Sequence, residues 1–497
     1  MVVQRIPLLS GTRIAVVDVP EGGVVLRPPA PTDVVRDVAA ATREALRFPL
    51  SGGPLASVVT PGGTATVVIE MPNLPLPSST PDPRQEAIAA TVEELERLGV
   101  TRVTILVAGG LGRRPTPREI GLLVPPEFRR RFRGRLMVHD AEDEGLTPLG
   151  EAAGQSLRVS PALVETDLVV TVTAAESVLH GGPSALVRAC SREALRASGA
   201  ASLLEPSSSQ GWTIALELER RLAARVPLYG VSLVLNLPHV FGGYPYEEQI
   251  LERLARSKAR RALGLLPAGL RLSIVERVPR ELTAAAALGG MPSGAHTEAL
   301  LRAIEFKGAM LDEPLDAVVI GIPPATAFLP RALPNPVSAA YLGLGLALRL
   351  WRNTFPVKPG GTAILLHDFA RRFPAPTQLP YRALFADQRT ARDRDALREA
   401  ERSALADTRA IGDYRAGRAV HPLEPFLTWS ACDAAISRLG PVLVAGCRDA
   451  HAARQLGFVP VHNVGAALAM ARGRGAERIG FLLSPPYYPL VVESGAR

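Results

Sequence analysis

The sequence predicts an α/β protein of two domains, each a mainly parallel sheet flanked by helices, with a cleft between them. Three observations carry this. Short apolar runs rich in Val and Ile alternate with Ala- and Leu-rich segments of helical period. The runs are unbroken rather than alternating, which suits strands covered on both faces. The rhythm occurs twice in 497 residues, a length ample for two cores.

In the first half, Ala65–Glu70, Val103–Ala108, Leu136–His139 and Asp167–Thr173 read as buried strands. Between the first two, Ile88, Thr91, Val92, Leu95 and Leu98 make a helical stripe over 83–98. In the second half, Asp316–Gly321, Thr362–Leu366, Val442–Gly446, Phe458–His462 and Arg478–Leu483 read as strands, and 336–351, 428–439, 450–456 and 464–471 as helices. The boundary is expected in the Gly- and Pro-bearing turn 289–296, giving domains 1–292 and 293–497. A polar stretch, about 371–422, reads as a helical insertion in the second.

Composition excludes several classes. Hydrophobic residues at 47% and charged residues at 21% are ordinary for a globular chain. The formal net charge of +8 is thin over this length, and arginine supplies nearly all positive charge, since only Lys258, Lys307 and Lys358 are lysines. The densest basic run, 129–135, has one aromatic and no interleaved stacking rings, so no nucleic-acid partner is expected. The apolar stretch 341–350 is too short for a bilayer span and contains Arg349, so no membrane partner is expected. Three scattered cysteines fit a reducing compartment, and the N-terminus lacks a signal-peptide pattern, so the expectation is cytoplasmic. No P-loop, zinc spacing or Ser-His-Asp arrangement is present.

An ordered series of motifs then points to a family. Ala45–Pro54 (ALRFPLSGGP), Val103–Arg113 (VTILVAGGLGR), Val138–Ala141 (VHDA), Glu165–Val172 (ETDLVVTV), Val357–Leu366 (VKPGGTAILL) and Leu456–Ala467 (LGFVPVHNVGAA) follow one another as in the nickel-pincer lactate racemases, which the chain resembles from about residue 13 to its end. That family racemises 2-hydroxy acids by hydride transfer to a nickel pincer tethered to a lysine. Two histidines act as acid and base, a further histidine completes the nickel site, and cations hold the carboxylate.

Carried over residue by residue, the resemblance gives mostly replacements. Gly112 stands for the first acid/base histidine, with Arg113 retained. The segment 176–184 keeps the Gly181-Gly182 pair as the cofactor-binding turn, but Ser184 replaces the cofactor-bearing lysine. A serine cannot form that amide linkage, so the sequence supports no cofactor and no metal. The nickel-binding histidine falls near Ala200. The substrate loop becomes Met71-Pro72-Asn73-Leu74-Pro75, with both charges lost, and Arg349 is the cation nearest the family's second-domain motif.

The remaining candidates are few. His180 follows a strand end and reads either as a shifted base or a ligand for an anion or metal, or as a helix-capping or core-packed histidine. Glu176 reads as its partner or as the base itself, against a solvated carboxylate. Arg113 and Arg114, after the Gly109-Gly110 turn, with Asn73 and Arg349, are the substrate-binding candidates. Two functions stay open: a divergent 2-hydroxy-acid racemase or epimerase with a rebuilt site, or a catalytically inactive relative that binds a small carboxylate or a partner in the cleft. A homo-oligomer is compatible with either.

Overall fold

A computed structural model describes residues 4–76, 81–324, 333–373 and 375–493. Met1–Val3, at the start of the segment searched for a signal peptide, and Pro374, inside the stretch 371–422, lie outside the described residues. Two six-stranded sheets organise the chain.

The first sheet has the order Ala284–Gly290, Leu228–Leu235, Leu168–Ala174, Thr64–Ile69, Arg102–Val107, Arg135–Val138. Its ladders are parallel except at the edge, where Ala284–Gly290 runs antiparallel to Leu228–Leu235. Every residue of Leu168–Ala174 and Leu228–Leu235 is buried, which is why these strands carry no charged residue. The helix Pro83–Arg97 begins where Asp82 accepts from the Arg84 amide and Pro83 presets the first turn.

The second sheet is all parallel, in the order Val459–Val461, Val442–Ala445, Val357–Leu366, Leu315–Gly321, Ile479–Leu482, Gly23–Leu26. Its edge strand comes from the N-terminal segment, so the chain starts in the second unit before building the first. Turn 289–296 is not a free linker: Gly289 and Gly290 end a strand, and the helix Pro292–Lys307 packs on the first sheet. A Cβ at Gly289 would lie 2.1 Å from the Ala45 carbonyl oxygen, so glycine is required for that close approach.

The span 336–351 is broken rather than one helix. An α turn, Pro336–Ala340, widens into a π-type turn, Tyr341–Leu346, then tightens over Ala347–Arg349. Gly345 leaves room for the Tyr341 ring, which a Cβ there would meet at 2.6 Å. Such widened turns free backbone carbonyls, and Arg349 Nη1 takes up that of Gly345 at 3.1 Å. Residues 371–422 hold the helices Arg394–Ala406 and Thr408–Arg415 and a tight helical segment, Pro376–Phe385. Among the described residues no helix is long and apolar enough to cross a membrane.

Candidate functional site

Parallel strands place their carboxyl ends on one edge of a sheet, where clefts open. At that edge of the first sheet stand Glu70, the Gly109–Arg113 turn and the loop 176–182. Glu70 is buried; it accepts from the Gly181 amide at 2.6 Å and faces Arg188 Nε at 2.9 Å. Burial outweighs the nearby guanidinium and pushes its carboxyl up to about 7. Arg188 also donates to the Gly109 carbonyl at 3.0 Å, and its guanidinium lies against Gly110, whose added Cβ would come within 3.1 Å of Cζ, Nη1 and Nη2.

Arg188 separates two cavities. The outer cleft, about 1340 Å³, runs between the Met71–Leu76 loop, Gly109, Gly112 and Arg113 on one side, and Leu8–Leu9, Pro323–Pro324 and Ser484–Pro485 on the other. The inner chamber, about 230 Å³, is lined by His180, Ser184, Arg188 and Ala200 from the first half of the chain and by Tyr341, Arg349, Glu424 and Thr428 from the second. Of the positions that the family resemblance marks, the Met71–Pro75 loop, Gly112 and Arg113 line the outer cleft, and His180, Ser184, Ala200 and Arg349 line the inner chamber.

Arg349 is 4% exposed. Its two terminal nitrogens donate to the carbonyls of Gly345 and Ala200, and Nε is buried without a hydrogen-bond partner. No carboxylate of the described residues pairs with it. Burial lowers its pKa from the ordinary arginine value. The Leu203 amide donates to the Arg349 carbonyl at 2.7 Å, so the Ala200–Leu204 loop is laced to the second half around this side chain.

His180 is partly buried, and its Nδ1 lies 3.0 Å from Ser177 Oγ. That hydroxyl already accepts from the Leu179 amide at 3.3 Å, which leaves its proton for Nδ1 and assigns the ring proton to Nε2. Burial, then the charges of Arg188 and Arg349, hold His180 well below the usual histidine range, so the ring is neutral. Glu424, 8% exposed, accepts from Thr428 Oγ1 at 3.3 Å through one carboxylate oxygen. Burial pushes it up to about 7 against the pull of Arg188 and the Thr428 hydroxyl.

The chamber thus brings together His180 and Arg349 of the sequence candidates. The others are elsewhere. Glu176 lies outside both cavities; it accepts from the Asn73 and Leu74 amides at 2.9 and 3.1 Å and from Arg84 at 3.2 Å, so it shapes the Met71–Leu76 loop. Asn73 lines the outer cleft. Arg113 does too, but its guanidinium is held by Glu119, the residue that also caps the following helix in a Thr116–Glu119 box. Arg114 turns away, donating to the Arg415 and Val138 carbonyls at 2.8 and 3.1 Å. Gly181 and Gly182, at φ of 89° and 50°, spend their amides on Glu70 and Thr173. Side chains there would collide with the buried His296 ring.

Ser184 is buried and donates to the Val178 carbonyl at 2.7 Å. Lys258, Lys307 and Lys358 line neither cavity. Among the described residues no three His, Cys, Asp or Glu side chains are placed to hold a metal ion. The sequence reading passed over Glu70, Arg188 and Glu424. A carboxylate closing an apolar strand (VVIE) and one inside an apolar turn (HPLEPF) were the available signals.

Comparison with known proteins agrees with this fold. Residues 11–193 match the family model of the lactate racemase N-terminal domain. The structure of the lactate racemase apoprotein from Thermoanaerobacterium thermosaccharolyticum aligns with 99% of this chain and 100% of its own, at a TM-score of 0.61 and 14% identity. A crystal structure of a protein from Thermotoga maritima aligns with 93% of this chain and 99% of its own, at a TM-score of 0.50 and 11% identity. No curated protein sequence matches the chain. Residues 11–193 are therefore similar to the lactate racemase N-terminal domain, within a chain that shares its fold with the lactate racemase apoprotein.

Proposed function

We propose that this protein binds a small carboxylate in its inner chamber and works without a tethered nickel-pincer nucleotide. One observation carries the reading: Arg349 is a buried guanidinium that lines the chamber, with no hydrogen-bond partner at Nε and no ion pair among the described residues. A buried charge is costly unless it is paired. A carboxylate ligand in the chamber supplies the missing counter-charge. The neutral His180 adds an N–H donor for a second oxygen next to the carboxylate, which favours a 2-hydroxy or 2-oxo acid. The likeness to a lactate racemase apoprotein makes lactate and pyruvate the first acids to test.

The residues present do not suit the family's cofactor. The hydroxyl of Ser184 is engaged with a backbone carbonyl, Ala200 offers no imidazole, and none of the three lysines lines either cavity. A chamber of about 230 Å³ is also below the range of roughly 300–1,000 Å³ usual for larger ligands. The test is calorimetric titration of pyruvate and lactate into the wild type and Arg349→Met. Binding by the wild type that the variant loses supports the reading; equal binding by both sinks it.

A further inference from the structure

We propose that the inner chamber catalyses keto–enol proton exchange on a 2-oxo carboxylate, with Glu424 removing the proton from the carbon beside the ketone. The inference rests on the carboxylate reading above and adds a reaction to it. Its starting point is an unusual pairing failure. Arg349 and Glu424 both line one small cavity, yet neither forms an ion pair among the described residues. If stability alone had shaped the chamber, the two charges would neutralise each other or be replaced by apolar groups. Kept apart, they offer a ligand a cation for its carboxylate and a base for its carbon acid.

The surroundings fit that role. One oxygen of Glu424 is held by Thr428, while the other makes no hydrogen bond among the described residues. The charge of Arg188, from the first half of the chain, acts on it; Tyr341 and Tyr381 are the titratable neighbours from the second. Its pKa of about 7 matches a proton carrier at neutral pH. Across the seam between the halves, the Nε2–H of neutral His180 is the donor for the ketone oxygen, since a neutral imidazole polarises a carbonyl without giving up its proton.

The step balances without any co-reactant. The C3–H bond of the 2-oxo acid breaks and its proton moves to Glu424. The bonding pair forms C2=C3, and the carbonyl pair moves onto oxygen, where His180 Nε2–H and a guanidinium stabilise the charge. Return of a proton from Glu424 to C3 regenerates the acid. No bond is oxidised or reduced overall, and the only trace is exchange of the C3 hydrogen with solvent.

The experiment follows the pyruvate methyl signal by proton NMR in D₂O, with calorimetry of pyruvate binding alongside. The wild type is expected to accelerate exchange above buffer, with a rate that rises with pH through about 7 as Glu424 ionises. Glu424→Gln is expected to bind pyruvate within a few-fold below that pH while exchange slows by about 100-fold or more. Exchange that is independent of pH between 5.5 and 8.5 in the wild type overturns the proposal without recourse to any variant. So does a Glu424→Gln protein that exchanges as fast as the wild type. Pyruvate binding with no exchange above buffer overturns this inference and leaves the carboxylate reading standing; no binding overturns both.

Discussion

Replacing Arg349 by Met keeps the length and apolar body of the side chain and removes its charge. The guanidinium is 4% exposed and unpaired with any described carboxylate, so an incoming carboxylate would be its only full counter-charge. Truncating one partner of a buried, hydrogen-bonded charge pair costs about 2–5 kcal/mol. Taking about 3 kcal/mol, the dissociation constant rises roughly 150-fold. A wild-type affinity of about 0.1 mM would become roughly 15 mM, which gives no usable heat in a titration. The fold should tolerate the change. Two hydrogen bonds, to Gly345 and Ala200, are lost at about 1 kcal/mol each, while several kcal/mol of desolvation penalty are relieved. The variant is therefore expected to melt within a few degrees of the wild type and to lose pyruvate binding. Affinity retained within threefold, or collapse of the fold, would refute the reasoning, the second because it would make the guanidinium a structural element.

Two further predictions concern the wall between the cavities. Glu70 has a folded pKa of about 7 against 4.5, so the folded state holds its proton more tightly and stability falls as pH rises from about 4.5 to about 7, by about 3 kcal/mol in all. Glu70→Gln removes that loss, and its melting temperature relative to wild type should rise between pH 5 and pH 8; an offset identical at both pH values contradicts the assignment. Gly110→Ala places a methyl against the Arg188 guanidinium at 3.1 Å and strains a residue at φ of 57°. Stability should drop by about 1–2 kcal/mol, and calorimetry should show weaker pyruvate binding as Arg188 is displaced; unchanged affinity would mean that Arg188 does not partition the site.

The fold was largely legible because buried parallel strands leave unbroken apolar runs, and Thr64–Ile69, Arg102–Val107 and Leu168–Ala174 fall within a residue or two of the expected spans. Gly23–Leu26 was not, since a four-residue run gives no hint that it pairs with Ile479–Leu482 at the other end of the chain. The expected helix 336–351 failed for a local reason: Gly343 and Gly345 admit a widened turn that a periodicity argument does not see. The site followed the same division. His180 and Arg349 could be found because ordered motifs fix their places along the chain. Arg188 reaches the Glu70 carboxylate across 118 positions of sequence, and only the parallel sheet brings them within 2.9 Å. Thr116-Pro117-Arg118-Glu119 is a legible capping box, but nothing in it shows that Glu119 also pairs with Arg113, the expected substrate cation.

We propose that an anion-binding chamber stands where the family resemblance would put a tethered organometallic centre. Intact-mass measurement with nickel analysis, on protein co-produced with the enzymes that make the pincer nucleotide, tests it most directly. The expected result is the unmodified mass of the chain and nickel far below one equivalent. A mass increased by the pincer nucleotide, with nickel near one per chain, would contradict it.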